Sequence, residues 1–122
     1  QLNTAFNNLQ LPGIRSTAIS YNPEWGMYAG EICQGLQFSL TDTHSFQPVE
    51  TGLQLLQLII SLYPENCKER LYRTVANPSG SGHLDKLIGV SHSFEKIKKG
   101  ILPSAKLLPA DWQEIIEPYL LY

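Results

Sequence analysis

The stretch 36–63 reads LQFSLTDTHSFQPVETGLQLLQLIISLY and decides the fold of this chain. Apolar and polar residues alternate over 36–41, and this period of two predicts a β-strand with one buried and one solvated face. The turn-forming cluster at 42–45 ends the strand. Pro48 suits the first turn of a helix, because proline lacks the N–H that would be unpaired there.

The segment from Pro48 to Tyr63 predicts a long apolar helix that ends before Pro64. Its apolar residues recur at spacings of three and four, and a narrow line of Gln54, Gln57 and Ser61 is the polar exception. A helix this apolar is expected to be mostly buried. If it buries about seven large side chains at about 2 kcal/mol each, it contributes on the order of 14 kcal/mol before entropy.

The remaining segments predict an α+β fold, a small and mostly antiparallel sheet packed on the long helix, with further helices toward the C-terminus. Leu2–Leu9 has helical spacing and Ile14–Tyr21 predicts a second strand. Glu65–Arg73 is interpreted as a short amphipathic helix. Ser91 is interpreted as the cap of a later helix, and a last helix is expected to open at Pro109.

The composition is that of a single globular domain over 1–122, with 43% hydrophobic and 16% charged residues and a net charge of −2. This charge does not suggest a nucleic-acid partner. No apolar run reaches the length of a membrane span. Because the chain starts at Gln1 and opens in the middle of a helical pattern, we expect it to be a piece of a longer protein.

The cysteines and histidines do not form a metal-binding pattern. Cys33 and Cys67 could pair as a disulfide or stand as two thiols, and the second interpretation is favoured. The three histidines lack metal-ligand spacing. We therefore expect neither a metal nor another cofactor.

Carboxylates beside aromatic residues are the candidates for a functional site. The loop 23–30 carries the aromatic residues Trp25 and Tyr28. Glu24 and Glu31 flank these aromatics, and Asp42 ends the central strand. Carbohydrate sites combine carboxylates with aromatic side chains, because sugars present hydroxyls at the edge and C–H groups on the face. Tyr28, Glu31 and Asp42 are the predicted substrate-binding residues. The alternative for Asp42 is that it caps the turn, and for Glu31 that it is simply solvated.

Several segments taken together resemble a known family. They are LPGIR at 11–15, YAGEICQG at 28–35, LTD at 40–42, FQPVETGL at 46–53, LYP at 62–64, HLDKLIG at 83–89 and the terminal YLLY. In their order and spacing the chain is similar to the C-terminal domain of the bacterial exo-β-N-acetylmuramidase (NamZ-like, formerly YbbC-like) family. The chain departs from the family where Met27 and Thr43 replace residues that are commonly basic.

The resemblance implies a two-domain parent in which a Rossmann-like N-terminal domain packs on this RAGNYA-like domain. It further implies that the cleft between them binds muramic-acid-containing peptidoglycan fragments outside the cytoplasm, and that the enzyme releases terminal N-acetylmuramic acid. The catalytic residues are expected in the N-terminal domain, so none is assigned here. The alternative is a non-catalytic module that binds a glycan or another domain. A self-sufficient hydrolase using Glu31 and Asp42 is the third reading.

Overall fold

The computed structural model describes residues 1–102 and 112–120, and the chain forms two compact units, Gln1–Glu69 and Arg70–Tyr122. The first unit contains helix α1 (Leu2–Asn8), strand β1 (Ile14–Tyr21), strand β2 (Cys33–Leu40) and helix α2 (Pro48–Leu62). The second contains helices α3 (His83–Ile88), α4 (Ser93–Lys98) and α5 (Trp112–Ile116), followed by a 3-10 turn, Glu117–Tyr119. The predicted α+β class is confirmed.

The sheet of the first unit is an antiparallel pair in which Ile14 lies opposite Leu40 and Tyr21 opposite Cys33. Opposite residues share a face. The prediction of a strand at 36–41 is confirmed by β2, but its predicted buried face is not, because Phe38 and Leu40 are 42% and 53% exposed. Two strands alone are marginal in water and need a packed face. Helix α1 supplies that packing, since it contacts both β1 and α2.

Two contacts attach α1 to the sheet. The buried ring of Phe6 meets Phe38 edge-on, with 5.1 Å between ring centroids. The Asn7 amide accepts a hydrogen bond from the Ser16 N–H (3.0 Å) and donates one to the Ser16 carbonyl (2.8 Å). The Asn7 side chain therefore pairs the Ser16 N–H and carbonyl, which a further strand would otherwise pair at the outer edge of β1.

Helix α2 begins at Pro48 as predicted, but the prediction that it is mostly buried is wrong. Only Thr51, Leu53 and Ile60 are buried, while residues 54–59 are half-buried and Val49 is exposed. The reason is geometric, because a sheet of two strands and one short helix cannot surround a 15-residue helix. The stabilisation by α2 is correspondingly smaller than the sequence estimate.

The structure corrects two predictions for the segments that follow α2. Glu65–Arg73 forms no helix, because Asn66 closes a turn onto the Tyr63 carbonyl and Tyr72 donates its N–H to the Gly80 carbonyl.

Ser91 does not cap α4. The carboxylate of Asp85, on α3, accepts hydrogen bonds from the N–H groups of His92 (2.8 Å) and Ser93 (2.7 Å). The cap is thus supplied by another helix. Gly100 follows α4 with φ +79°, as expected for a helix stop. The predicted opening of the last helix at Pro109 lies outside the described residues, which contain α5 from Trp112.

Candidate functional site

The hairpin loop, residues 22–32, joins β1 to β2 and is ordered by its own backbone. The N–H of Gly30 binds the Pro23 carbonyl (2.9 Å), and the N–H of Glu31 binds the Tyr28 carbonyl (3.1 Å). Gly26 and Gly30 adopt positive φ angles, which the tight path requires. The loop is therefore already ordered, so that binding a ligand or a partner would not include the free-energy cost of ordering it.

The hairpin loop holds large apolar side chains in solvent. Trp25, Met27 and Ile32 are 86%, 88% and 77% exposed, and Tyr28 is 57% exposed. Glu31 is exposed beside them. A group of apolar side chains held out in this way is typical of a contact site. The aromatic character of this loop is visible in the sequence, whereas its exposure is a property of the structure.

Asp42 stands in a different setting, at the turn that follows β2. Its carboxylate accepts a hydrogen bond from the N–H of His44 (3.0 Å). The hydroxyl of Ser45 and this N–H hold the pKa of the Asp42 carboxyl below its ordinary value, because both stabilise the charged form. The turn-capping role considered for Asp42 is therefore present in the structure, and the carboxylate is exposed and ionised at neutral pH.

The structure separates the predicted site residues into two groups. Tyr28 and Glu31 precede β2, and Asp42 follows it. β2 has 8 residues, so its first and last residues lie roughly 23 Å apart at about 3.3 Å per residue. The two carboxylates of a glycosidase stand about 5 to 10 Å apart. Glu31 and Asp42 are too distant to act as such a pair, which removes the basis for a self-sufficient hydrolase. The substrate contacts of all three residues stay predictions.

A cavity lies between α1 and the sheet, called here the α1–sheet cavity, and it was not among the sites predicted from the sequence. It has a volume of about 320 Å³. The start of α1 contributes Asn3, the strands contribute Ala18, Gln34 and Leu36, and Tyr63 follows α2. No sequence motif could reveal it, because the lining comes from four elements that only the tertiary structure brings together.

The thiols and the ionisable side chains of the described residues form no further chemical site. Cys33 and Cys67 are half-buried free thiols, so the interpretation as two thiols is confirmed. Over 1–102 and 112–120, no three His, Cys, Asp or Glu side chains are placed to hold a metal ion. Within the same residues, no helix has the length and apolar character of a membrane span.

The sequence profile described as "Exo-beta-N-acetylmuramidase NamZ, C-terminal" matches residues 1–122. The chain belongs to this family. The chain is 30% identical over 127 aligned positions to the peptidoglycan beta-N-acetylmuramidase NamZ of Bacillus subtilis (strain 168). That alignment covers 100% of this chain and 28% of the relative. The resemblance drawn from the motifs is thereby confirmed.

A solved structure also shares the fold. The crystal structure of a DUF1343 family protein from Bacteroides fragilis NCTC 9343 superposes with a TM-score of 0.61 at 20% identity. The match covers 99% of this NamZ C-terminal domain and 32% of that chain. The chain thus spans about a third or less of the length of both relatives, which indicates that a NamZ C-terminal domain forms part of a larger, multi-domain protein.

Proposed function

We propose that this NamZ C-terminal domain lines the substrate cleft of a peptidoglycan-degrading glycoside hydrolase that releases terminal N-acetylmuramic acid. The name of the Bacillus subtilis relative, a peptidoglycan beta-N-acetylmuramidase, supports this activity. The observation that carries the role of this chain is the preformed hairpin loop, whose aromatic and apolar side chains stand in solvent. Peptidoglycan lies outside the cytoplasmic membrane, so the parent protein acts in the periplasm or after secretion.

The two kinds of side chain on the hairpin loop suit two kinds of contact. Tyr28 presents an aromatic face for the C–H groups of a pyranose, and Glu31 presents a carboxylate that accepts sugar hydroxyls. Trp25, Met27 and Ile32 are apolar and more exposed, which suits a protein surface. Their partner is the Rossmann-like N-terminal domain of the same parent chain.

The catalytic groups belong to the part of the parent outside this chain. The chain covers 28% and 32% of the two relatives, which leaves ample length for a catalytic domain. The distance between Glu31 and Asp42 supports the same division, since these carboxylates cannot flank one glycosidic bond. The chain by itself is therefore expected to bind and not to hydrolyse.

A domain-interaction module without glycan contact is the second candidate. Met27 and Ile32 favour it, because side chains that are 88% and 77% exposed and carry no hydrogen-bonding group gain little from a sugar. Under this alternative the whole hairpin loop packs on another domain. Replacing Tyr28 or Glu31 would then alter the stability of the parent rather than its turnover.

The test uses the full-length parent protein. We expect Tyr28→Ala and Glu31→Gln each to lower kcat/KM for release of N-acetylmuramic acid at least about tenfold, with unchanged thermal stability. Gln37→Ala is the control, because Gln37 is also exposed but lies on β2 away from the hairpin loop. Values of kcat/KM within twofold of wild type for both loop variants would refute the substrate contact and favour the interaction module.

A binding experiment separates the two candidates directly. N-acetylmuramic acid is titrated into the isotopically labelled chain and amide shifts are recorded. Shifts at Tyr28 and Glu31 support the cleft wall. Shifts at the start of β2 that are absent in the Tyr28→Ala variant strengthen it, whereas shifts confined to the second unit overturn it.

A further inference from the structure

The outer edge of β2, the side that faces away from β1, carries unpaired backbone groups. The Asn7 amide binds the N–H and the carbonyl of Ser16 from outside the sheet, so these two groups point away from β2. Ser16 lies opposite Phe38. At such a position of an antiparallel pair, the residues on both strands direct their backbone groups outward. Phe38 and every second residue of β2, namely Gln34, Leu36 and Leu40, therefore direct their N–H and carbonyl groups to the outer edge.

No residue that the structure describes pairs with these groups. Over 1–102 and 112–120, the four outward-facing residues of β2 make no backbone–backbone hydrogen bond. Proteins protect an exposed edge with lysine or proline on the edge strand or with a bulge. The strand reads CQGLQFSL, without charge or proline, and pairs with β1 at every residue, without a bulge. An unprotected edge of this kind is a template for a further strand.

The side chains beside this edge are also left uncovered. On the face of the sheet that α1 packs against, Ile14 and Ser16 of β1 are buried. Their partners across the sheet, Leu40 and Phe38, are exposed. The cover of this face is therefore complete over β1 and partial over β2. A strand beside β2 would place its Cβ atoms about 4.5 to 5.5 Å from those of the opposite residues and would cover both side chains.

We propose that a β-strand from the part of the parent protein outside residues 1–122 pairs with the outer edge of β2. This strand has apolar side chains at alternate positions, because they share one face with Phe38 and Leu40. Its other side chains are polar, because the opposite face of β2 carries the exposed side chains of Gln37 and Ser39.

Two observations favour a strand of the parent over a second copy of this chain. The chain spans 28% and 32% of the two relatives, so most of each relative lies outside it. A strand on the same polypeptide pairs at a high effective concentration, whereas a second copy must associate from solution. In addition, the exposed side chain of Ile32 directly precedes β2, so a partner along this edge continues onto the hairpin loop.

The contact goes beyond the proposed function, because it is made by the backbone of β2 and involves no glycan. It rests only on the larger parent protein that the coverage of the two relatives indicates.

The test is amide hydrogen exchange of the full-length parent, resolved to single residues by NMR. We expect the outward amides of Leu36 and Phe38 to exchange at least about a hundredfold more slowly than unprotected amides. The inward amides of Gln37 and Ser39 are the matched control, because β1 pairs with them whether or not a partner strand is present. Unprotected amides at Leu36 and Phe38 beside protected control amides would overturn the proposal.

Interstrand nuclear Overhauser contacts in the same sample identify the partner of β2. Contacts from β2 to residues outside 1–122 support the proposal. Contacts to other residues within 1–122 overturn it. Contacts to a second copy also overturn it, and these are recognised because they appear in a mixture of differently labelled molecules and weaken on dilution.

Two proline variants of the parent provide an independent measurement. Gln34 and Ser20 lie opposite each other, are both exposed, and direct their N–H groups to the two outer edges of the sheet. Either substitution removes the hydrogen bond between their side chains (2.9 Å). Proline is tolerated where the N–H faces solvent and not where it pairs with a strand. We expect Gln34→Pro to lower the melting temperature at least about 3 °C more than Ser20→Pro, and equal melting temperatures would overturn the proposal.

The outcome is separable from that of the proposed function. Loss of turnover in Tyr28→Ala and Glu31→Gln tests the glycan contact, and amide exchange tests the pairing of β2. Unchanged turnover in the loop variants with protected β2 amides would refute the glycan contact alone. Reduced turnover with unprotected β2 amides would overturn the strand pairing alone.

Discussion

Among the glycine-to-alanine substitutions in the first unit, Gly13→Ala should be the most destabilising. Gly13 has φ +69°, and an ideal Cβ would lie 2.2 Å from the Asp42 carbonyl oxygen and 2.8 Å from the Phe46 nitrogen. Both obstacles are backbone atoms, so no side chain can rotate away. The Gly13 carbonyl also accepts the N–H of Thr41 (2.9 Å), which ties the turn to this position.

The magnitude follows from two costs. A left-handed conformation costs a residue with a Cβ roughly 1 to 2 kcal/mol. Displacing the turn backbone adds about 1 to 3 kcal/mol, by analogy with overpacked cores. The sum, about 2 to 5 kcal/mol, is a large share of the 5 to 15 kcal/mol typical of a folded domain. We expect Gly13→Ala to lower the free energy of unfolding by this amount.

The assay is urea unfolding followed by circular dichroism, with two glycines of the same unit as controls. Gly30 has φ +80° but no atom within 4 Å of an ideal Cβ. Gly30→Ala should therefore lower the free energy of unfolding only by the cost of the left-handed conformation. Gly52, inside α2, also has open space, and Gly52→Ala should gain about 0.5 to 1 kcal/mol. Equal transition midpoints for Gly13→Ala and Gly30→Ala would refute the steric argument.

Three further outcomes are expected. Asp85→Asn should speed amide exchange at the start of α4. The difference from wild type should fade as the pH falls below about 3.9, because hydrogen bonds from the N–H groups of Ser93 and His92 lower the pKa of Asp85 in the folded chain. The control Glu95→Gln should change neither the exchange rate nor its pH dependence, and a pH-independent difference for Asp85→Asn would count against the cap. Asn7→Ala should destabilise the chain by about 1 to 3 kcal/mol in thermal melts, since it unpairs the buried outer edge of β1, and an unchanged melting temperature would show that water replaces the amide. Ile60→Ala should lower the free energy of unfolding by about 2 to 5 kcal/mol in urea, because Ile60 is only 2% exposed. Val49→Ala should lower it little, because Val49 is 63% exposed. Similar decreases for the two variants would contradict the burial assigned to α2.

Features of the fold were predictable where the pattern that indicates them lies within a single segment. The alternation through Leu36 and Phe38 indicates β2, and Pro48 marks the start of α2 to the residue. Ile14–Tyr21 is a strand with the predicted bounds despite poor alternation. These features depend on backbone preferences and on a periodicity that adjacent residues share.

Features that depend on a distant partner were not predictable. The cap of α4 comes from Asp85, eight residues before Ser93, and nothing near Ser91 indicates this. Tyr72 pairs with Gly80 rather than continuing a helix, because a tertiary turn satisfies its N–H. Of the candidate site, the aromatic character of the hairpin loop was readable from the sequence. The distance that separates Glu31 from Asp42 required the observed bounds of β2, Cys33–Leu40.

By itself the sequence determined the strand β2, the start of α2, the α+β class and, through the order of its motifs, the family. It did so because propensity, periodicity and turn chemistry act between neighbouring residues. The tertiary structure alone decided how much of α2 is buried, which side chains stand in solvent, and that Asn3 and Gln34 line one cavity. The burial of a side chain, and the meeting of residues from distant segments, depend on which surfaces pack together in space. The residue pattern of the sequence indicates which faces are apolar but not what covers them.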